Sequence, residues 1–231
     1  MGGGVEGVAA PVLWRLGPVE VTSTVVYSLL DSAMLVAASA FFTHALRPAL
    51  GPGQAALEYV VEWLMDTIKA VTGHEPRSIL PLVGTLALFI AVGNTMAIVP
   101  GLEAPTSDLA TAAALATVVF FAVPLFGVRS RGVEGYLKHY LEPTWIMLPF
   151  NIISEATRTL AMAMRLFGNM MSGHLVLAVL LLIAGLLVPV PILALHLLIG
   201  LVQAYIFTIL TLVYIGAVLK HRHGPGAKEE T

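Results

Sequence analysis

At 231 residues the chain could build one or two ordinary domains, yet 58% of its residues are hydrophobic and only 11% are charged, against roughly 25% in soluble proteins. With a mean hydropathy of +0.88, this is the composition of an integral membrane protein whose length is spent on spans. The net charge of −2 argues against nucleic acid as a partner, and the absence of cysteine excludes disulfides, thiolate metal ligands and cysteine nucleophiles.

The N-terminal segment 1–21 has no basic start and no compact apolar run, so it reads as mature outer sequence rather than a signal peptide. The first span covers about Thr22–Leu46, carries Asp31 and stops at Arg47-Pro48. Residues 54–72 differ: Leu57, Val61, Leu64, Ile68 and Val71 form one apolar stripe beside Glu58, Glu62, Asp66 and Lys69. That pattern predicts an amphipathic helix on the membrane surface or against a partner, ended by Gly73-His74-Glu75-Pro76. Ile79–Val99 and Leu109–Val128 are spans, closed by Pro100-Gly101 and by Arg129-Ser130-Arg131-Gly132, and Val133–Pro143 is polar. Leu148–Val188 is nearly continuous, Pro189-Val190-Pro191 breaks it, and Ile192–Leu219 is the last span before the charged tail 220–231.

The expected fold is a single all-α membrane domain over 1–231: five membrane-embedded helices plus one surface helix, with 148–219 forming a helical hairpin. No internal repeat is present, which disfavours an inverted-repeat transporter. Alternating spans with a cytoplasmic C-terminus put nine of the 12 basic residues inside and only Arg15 outside, as the positive-inside rule requires. The stretch from Asn151 to Val188 would be about 57 Å long as a helix, against a hydrocarbon core of about 30 Å. A continuous, steeply tilted fifth helix is expected in preference to one broken near Gly168 or Gly173.

Arg165 is the most informative residue. It sits in Ala161-Met162-Ala163-Met164-Arg165-Leu166-Phe167-Gly168-Asn169-Met170-Met171, deep in an apolar helix. A guanidinium keeps its charge, and at mid-bilayer it costs at least about 2.5–3.5 kcal/mol. Glu155, Arg158, Met162, Arg165, Asn169 and Ser172 follow 3–4 spacing and are expected on one face. Glu155 can pair with Arg158, but Arg165 has no acid three or four residues away. Its counter-charge must come from another helix or subunit. An internal pair with Asp108 or Glu103 is disfavoured because those acids belong near the outer surface. Gly168, Ser172 and Gly173 thin this stretch and would let a neighbouring helix approach.

His174, nine residues after Arg165, falls about 180° round the helix and faces the protein's own helices. The last span carries His196, Gly200, Gln203 and Phe207 on one stripe, continued by Tyr214. The two histidines are candidate proton carriers, and Gln203 can orient a guanidinium without neutralising it. Asn94, Asp108, Thr111 and Glu103 could line an outer vestibule. No HExxH, P-loop or GxSxG pattern occurs, so the chain has no nucleotide site of its own, and no cofactor or metal is expected.

The run from Arg158 through Arg165-Leu166-Phe167-Gly168-Asn169 to Gly173 resembles the signature of subunit a of bacterial F-type ATP synthases, and Gln203-Ala204-Tyr205-Ile206-Phe207 resembles the family's glutamine-bearing last helix. The opening Leu16-Gly17-Pro18-Val19-Glu20-Val21 and the loop Arg129-Ser130-Arg131-Gly132-Val133 are similar to the divergent N-type operon branch. The resemblance implies a non-catalytic stator subunit of the membrane sector in the bacterial inner membrane, N-terminus outside. Its implied partners are the c-subunit ring, the subunit b peripheral stalk and the lipid bilayer. Two offset half-channels would pass protons to ring carboxylates. Arg165 would face the carboxylate, and Asn169 and Gln203 would position it. His174 and His196 would lie in the outer path and Glu155 in the inner one, with Asp108, Asn94 and Tyr214 as further candidates. Where relatives have an acid at one of the two histidine positions, this chain has His at both, which leaves H+ against Na+ as an open alternative. A stand-alone transporter and a non-conducting scaffold are the rival classes. The first needs counter-charges within one chain, and the second needs no unpaired arginine.

Overall fold

The computed structural model describes residues 12–16, 19–44, 52–99, 102, 104–141, 147–184 and 189–220. Arg47, Pro100-Gly101, Glu103, residues 142–146 and the tail 221–231 lie outside the described residues.

Among the described residues the chain is α-helical apart from a short antiparallel ribbon, β1 (Val12–Leu16) and β2 (Val19–Thr22), in which Trp14 pairs with Val21 and Leu16 with Val19. Sequence reading assigned no strand there. The alternation of Val12, Trp14 and Leu16 with Val19 and Val21 across Gly17-Pro18 is the signal it passed over. β2 runs directly into α1 (Ser23–His44). The amphipathic helix is α2 (Pro52–Thr72). Leu64 and Ile68 of its stripe are buried while Glu58, Glu62, Asp66 and Lys69 are exposed. It ends where Gly73 takes φ +69° and its N–H donates to the Lys69 carbonyl at 2.9 Å, a left-handed cap that glycine adopts without strain.

The expected span Ile79–Val99 is realised as α3 (Leu80–Met96), only 17 residues long. It tightens into a turn in which the Ile98 and Val99 amides bond back to Thr95 and Met96. Four helices, rather than five, are therefore long and apolar enough to cross a membrane among the described residues, and α3 is the shorter fifth apolar helix. α4 (Leu109–Leu141) continues past the expected stop, but Gly132 at φ 77° and ψ 164° divides it into an apolar helix and a polar one. The Arg129–Gly132 boundary in the sequence marks that kink. α5 (Met147–Ala184) spans 38 residues with no break at Gly168 or Gly173. At about 1.5 Å per residue it is about 57 Å long, so it must tilt strongly to stay within a ~30 Å hydrocarbon core. α6 (Pro189–Lys220) begins inside the Pro-Val-Pro run rather than after it, because proline fits the first helical turn, where its missing N–H has no partner to lose.

The chain folds as two compact units. The first comprises Met1–Arg47, Ala87–Leu115 and Met162–Tyr205. Its core mixes Ala97, Ala104 and Met170 with buried polar groups: Asp31, Asn94, Thr106, His196 and Gln203. The second comprises Pro48–Leu86, Ala116–Ala161 and Ile206–Thr231. Its core is apolar, built on Leu64, Ile68, Val83, Val119, Phe207 and Leu212, and among the described residues only threonines are buried polar groups there.

Candidate functional site

α5 positions Arg165. Its inward side, Leu166 and Met170 with Ala163, is fully packed, while Ala161, Met164, Arg165 and Gly168 are exposed. A methyl built onto Gly168 would meet nothing within 4 Å. Among the described residues no ion pair or hydrogen bond holds the Arg165 guanidinium. The sequence-predicted face is split by the packing. Arg158, Arg165 and Ser172 are exposed, Glu155 and Asn169 are half-buried, and Met162 is buried at 2% exposure. The 3–4 pattern sweeps about 100° of the helix surface, and the edge of the buried sector cuts through it. Met162 is thus a core residue, not part of an open face.

Asn169 reaches across to α6, donating from Nδ2 to Gln203 Oε1 at 2.8 Å. Gln203 is itself buried. Asn169 follows Arg165 by one turn of α5, so this bond brings the side-chain amide of α6 to the level just beyond Arg165. His174, on the far side of α5 from Arg165, meets His196 of α6 edge-on, with ring centroids 5.7 Å apart and planes at 90°. His196 is 9% exposed. Gly173 makes this encounter sterically possible, since any β-carbon there would overlap the His196 ring.

The other candidates separate into distinct tasks. Asn94 on α3 donates from Nδ2 to the Gly200 carbonyl at 2.9 Å and accepts from Thr106 Oγ1 at 2.5 Å, so it ties α3, α6 and the Pro105–Ser107 turn together. Asp108 caps α4, its Oδ1 accepting the Ala110 N–H at 2.9 Å. Tyr214 lies under Arg158, whose guanidinium carbon sits 5.4 Å from the ring centroid. Glu155 is half-buried near the start of α5, and its backbone carbonyl accepts the Thr159 hydroxyl at 3.0 Å.

Asp31 falls in the expected first span and is not among the site residues expected from the sequence. The structure buries it completely, against Gly93 and Pro105. The signal was available, because an acid inside an apolar span is unusual on cost alone.

The sequence profile described as "ATP synthase A chain" matches residues 22–216. The chain is 48% identical to "ATP synthase subunit a 1" of Hahella chejuensis over 93% of its own length and 92% of that protein's. It is 52% identical to "ATP synthase subunit a 2" of Picosynechococcus sp. over 86% of each. It is 47% identical to "ATP synthase subunit a 2" of Bradyrhizobium sp. over 90% of its length and 93% of the relative's. With four helices long and apolar enough to span a bilayer, and a family match that includes Arg165, Asn169 and Gln203, the chain is a multi-pass membrane protein belonging to the ATP synthase subunit a family.

Proposed function

We propose that this chain is the stator subunit of a rotary F-type ATP synthase in a bacterial inner membrane, providing two offset half-channels that carry protons to and from a ring of c subunits. The observation that carries this reading is an exposed guanidinium, Arg165, with no ion pair among the described residues, on a thin face of a long helix. A permanent charge so placed needs a carboxylate from outside the chain. A carboxylate on the ring meets it once per step. A protonated carboxyl returning from lipid releases its proton to the inner path, and the carboxylate so formed is attracted to Arg165. The protonated form, having taken a proton from the outer path, is neutral and can turn through lipid. Arg165 also blocks a direct proton leak between the two paths, since a fixed cation repels protons moving along a water chain.

The Asn169–Gln203 bond holds two amides beside the Arg165 level of α5 and would keep the guanidinium aimed outward. His174 and His196 would relay protons in the outer path and Glu155 in the inner one. Paired histidines favour H+ over Na+ as the ion, because an imidazolium repels a metal cation. The subunit b stalk would hold the chain still, and the lysine and arginine distribution supports an outside N-terminus and a cytoplasmic C-terminus.

Arg165→Ala should abolish ATP-driven proton pumping in inverted membrane vesicles while the complex still assembles. Pumping at the parent rate in that variant would refute the stator reading.

A further inference from the structure

α1 presents its polar edge to the protein and its apolar edges outward. Ser23, Thr24 and Asp31 are buried, whereas Val25, Val26, Leu29, Leu30 and Met34 are exposed. Thr24 and Asp31 lie two turns apart along one edge. Asp31 is the one buried acid among the described residues, at 0% exposure, and neither of its oxygens accepts a hydrogen bond from a described group. A carboxylate buried without a donor is strongly disfavoured, and it comes to rest by binding a proton or a cation.

Asp31 lies in the compact unit that also buries Asn94, Thr106, His196 and Gln203. A β-carbon on Gly93 would fall 3.2 Å from Asp31 Oδ2 and 3.3 Å from Pro105 Cδ, so the bare α3 backbone leaves just enough room for the carboxyl. The next residue, Asn94, bonds to the Gly200 carbonyl and to Thr106. Gly200 is one turn along α6 from His196, whose Nε2 is buried without a partner. Two buried polar groups of this unit, the carboxyl of Asp31 on α1 beside Gly93 of α3 and Nε2 of His196 on α6 one turn from the Gly200 carbonyl held by Asn94, are thus left without a hydrogen-bond partner among the described residues.

We propose that Asp31 is the proton-accepting carboxylate of the outer half-channel. This assignment rests on the stator reading above and adds to it a residue from the first helix. In each passage a proton from the outer aqueous phase binds a carboxylate oxygen of Asp31. It then leaves through water toward Nε2 of His196, restoring the carboxylate, so that one proton enters and one departs. An acid here supplies the carboxylate that the two histidine positions lack.

The test uses the complete complex in inverted vesicles, with passive proton flux measured after removal of the catalytic head and expressed per assembled membrane sector. Asp31→Asn keeps the side chain's shape and removes the proton site. It should lower flux about tenfold at parent subunit content, and flux equal to the parent overturns the proposal. Should Asp31→Asn reduce assembly, Gly93→Ala takes its place. Its added methyl crowds Oδ2, and it should lower flux at parent content, with unchanged flux again overturning the assignment. Arg165→Ala run in parallel separates the two readings. Lost pumping there with parent flux in Asp31→Asn removes only the Asp31 assignment, whereas normal pumping there removes the stator function itself.

Discussion

At the scale of single residues, the chemistry turns on whether Arg165 acts as a charge or as a shaped donor. Lysine would keep the charge but replace a rigid planar fork with a flexible, strongly hydrated ammonium. Arg165→Lys should therefore assemble and still lose most ATP-driven pumping, as read by fluorescence quenching in vesicles. Parent-level pumping would show that charge alone suffices. Asn94 is a different kind of residue. It satisfies two partners from one buried amide, so Asn94→Ala strands the Thr106 hydroxyl and removes the cross-helix bond to the Gly200 carbonyl, which keeps its intrahelical partner. A loss of about 1–3 kcal/mol is expected for the orphaned hydroxyl, measurable as a lower melting temperature of the purified complex. Arg165 and the opposed direction of His174 were legible in the sequence because a lone cation and a count of nine residues round a helix are local facts. The pairing of Asn94 with Gly200 was not, since it joins positions 106 residues apart.

At the scale of elements, α5 and α6 depend on close approach. Gly173 faces the His196 ring so tightly that alanine must displace the imidazole. Gly173→Ala is expected to destabilise by about 1–3 kcal/mol through overpacking and to slow pumping. Gly168→Ala, on the open face of α5, should leave the stability of the chain unchanged. A differential thermal melt of the two variants decides the matter, and equal losses would mean that the two glycines do the same job. Helix identity was readable from hydropathy, as α1, α4, α5 and α6 attest, but helix ends were not. α3 stops at Met96 because of backbone bonds in the turn that follows, and α4 resumes as a helix beyond the Gly132 kink, although the change from apolar to polar residues there marked the kink itself. The Met162 face failed for a related reason. Periodicity locates a stripe, while neighbouring helices decide where its buried edge falls.

At the scale of the whole molecule, the absence of cysteine offers a clean reporter background. A cysteine introduced at Ala227 should react with a membrane-impermeant maleimide in inside-out vesicles and stay unlabelled in intact cells. The opposite pattern would invert the proposed topology. A cysteine at Gly168 should cross-link to one placed beside the ring carboxylate, testing whether the exposed face of α5 meets the rotor. The family was legible from two short runs on α5 and α6. The division of the fold into one unit with a polar core and one with an apolar core was not, because each of α3 to α6 contributes to both.

The uncovered guanidinium also bears on biogenesis. Under the proposed stator role, the exposed Arg165 would face lipid until a rotor is present, at a cost of at least about 2.5–3.5 kcal/mol. The newly inserted chain thus carries a built-in sign of incompleteness that a membrane quality-control protease could read. Cells lacking the c subunit should clear this chain faster than cells that have it, and Arg165→Leu should slow that clearance in a pulse–chase measurement.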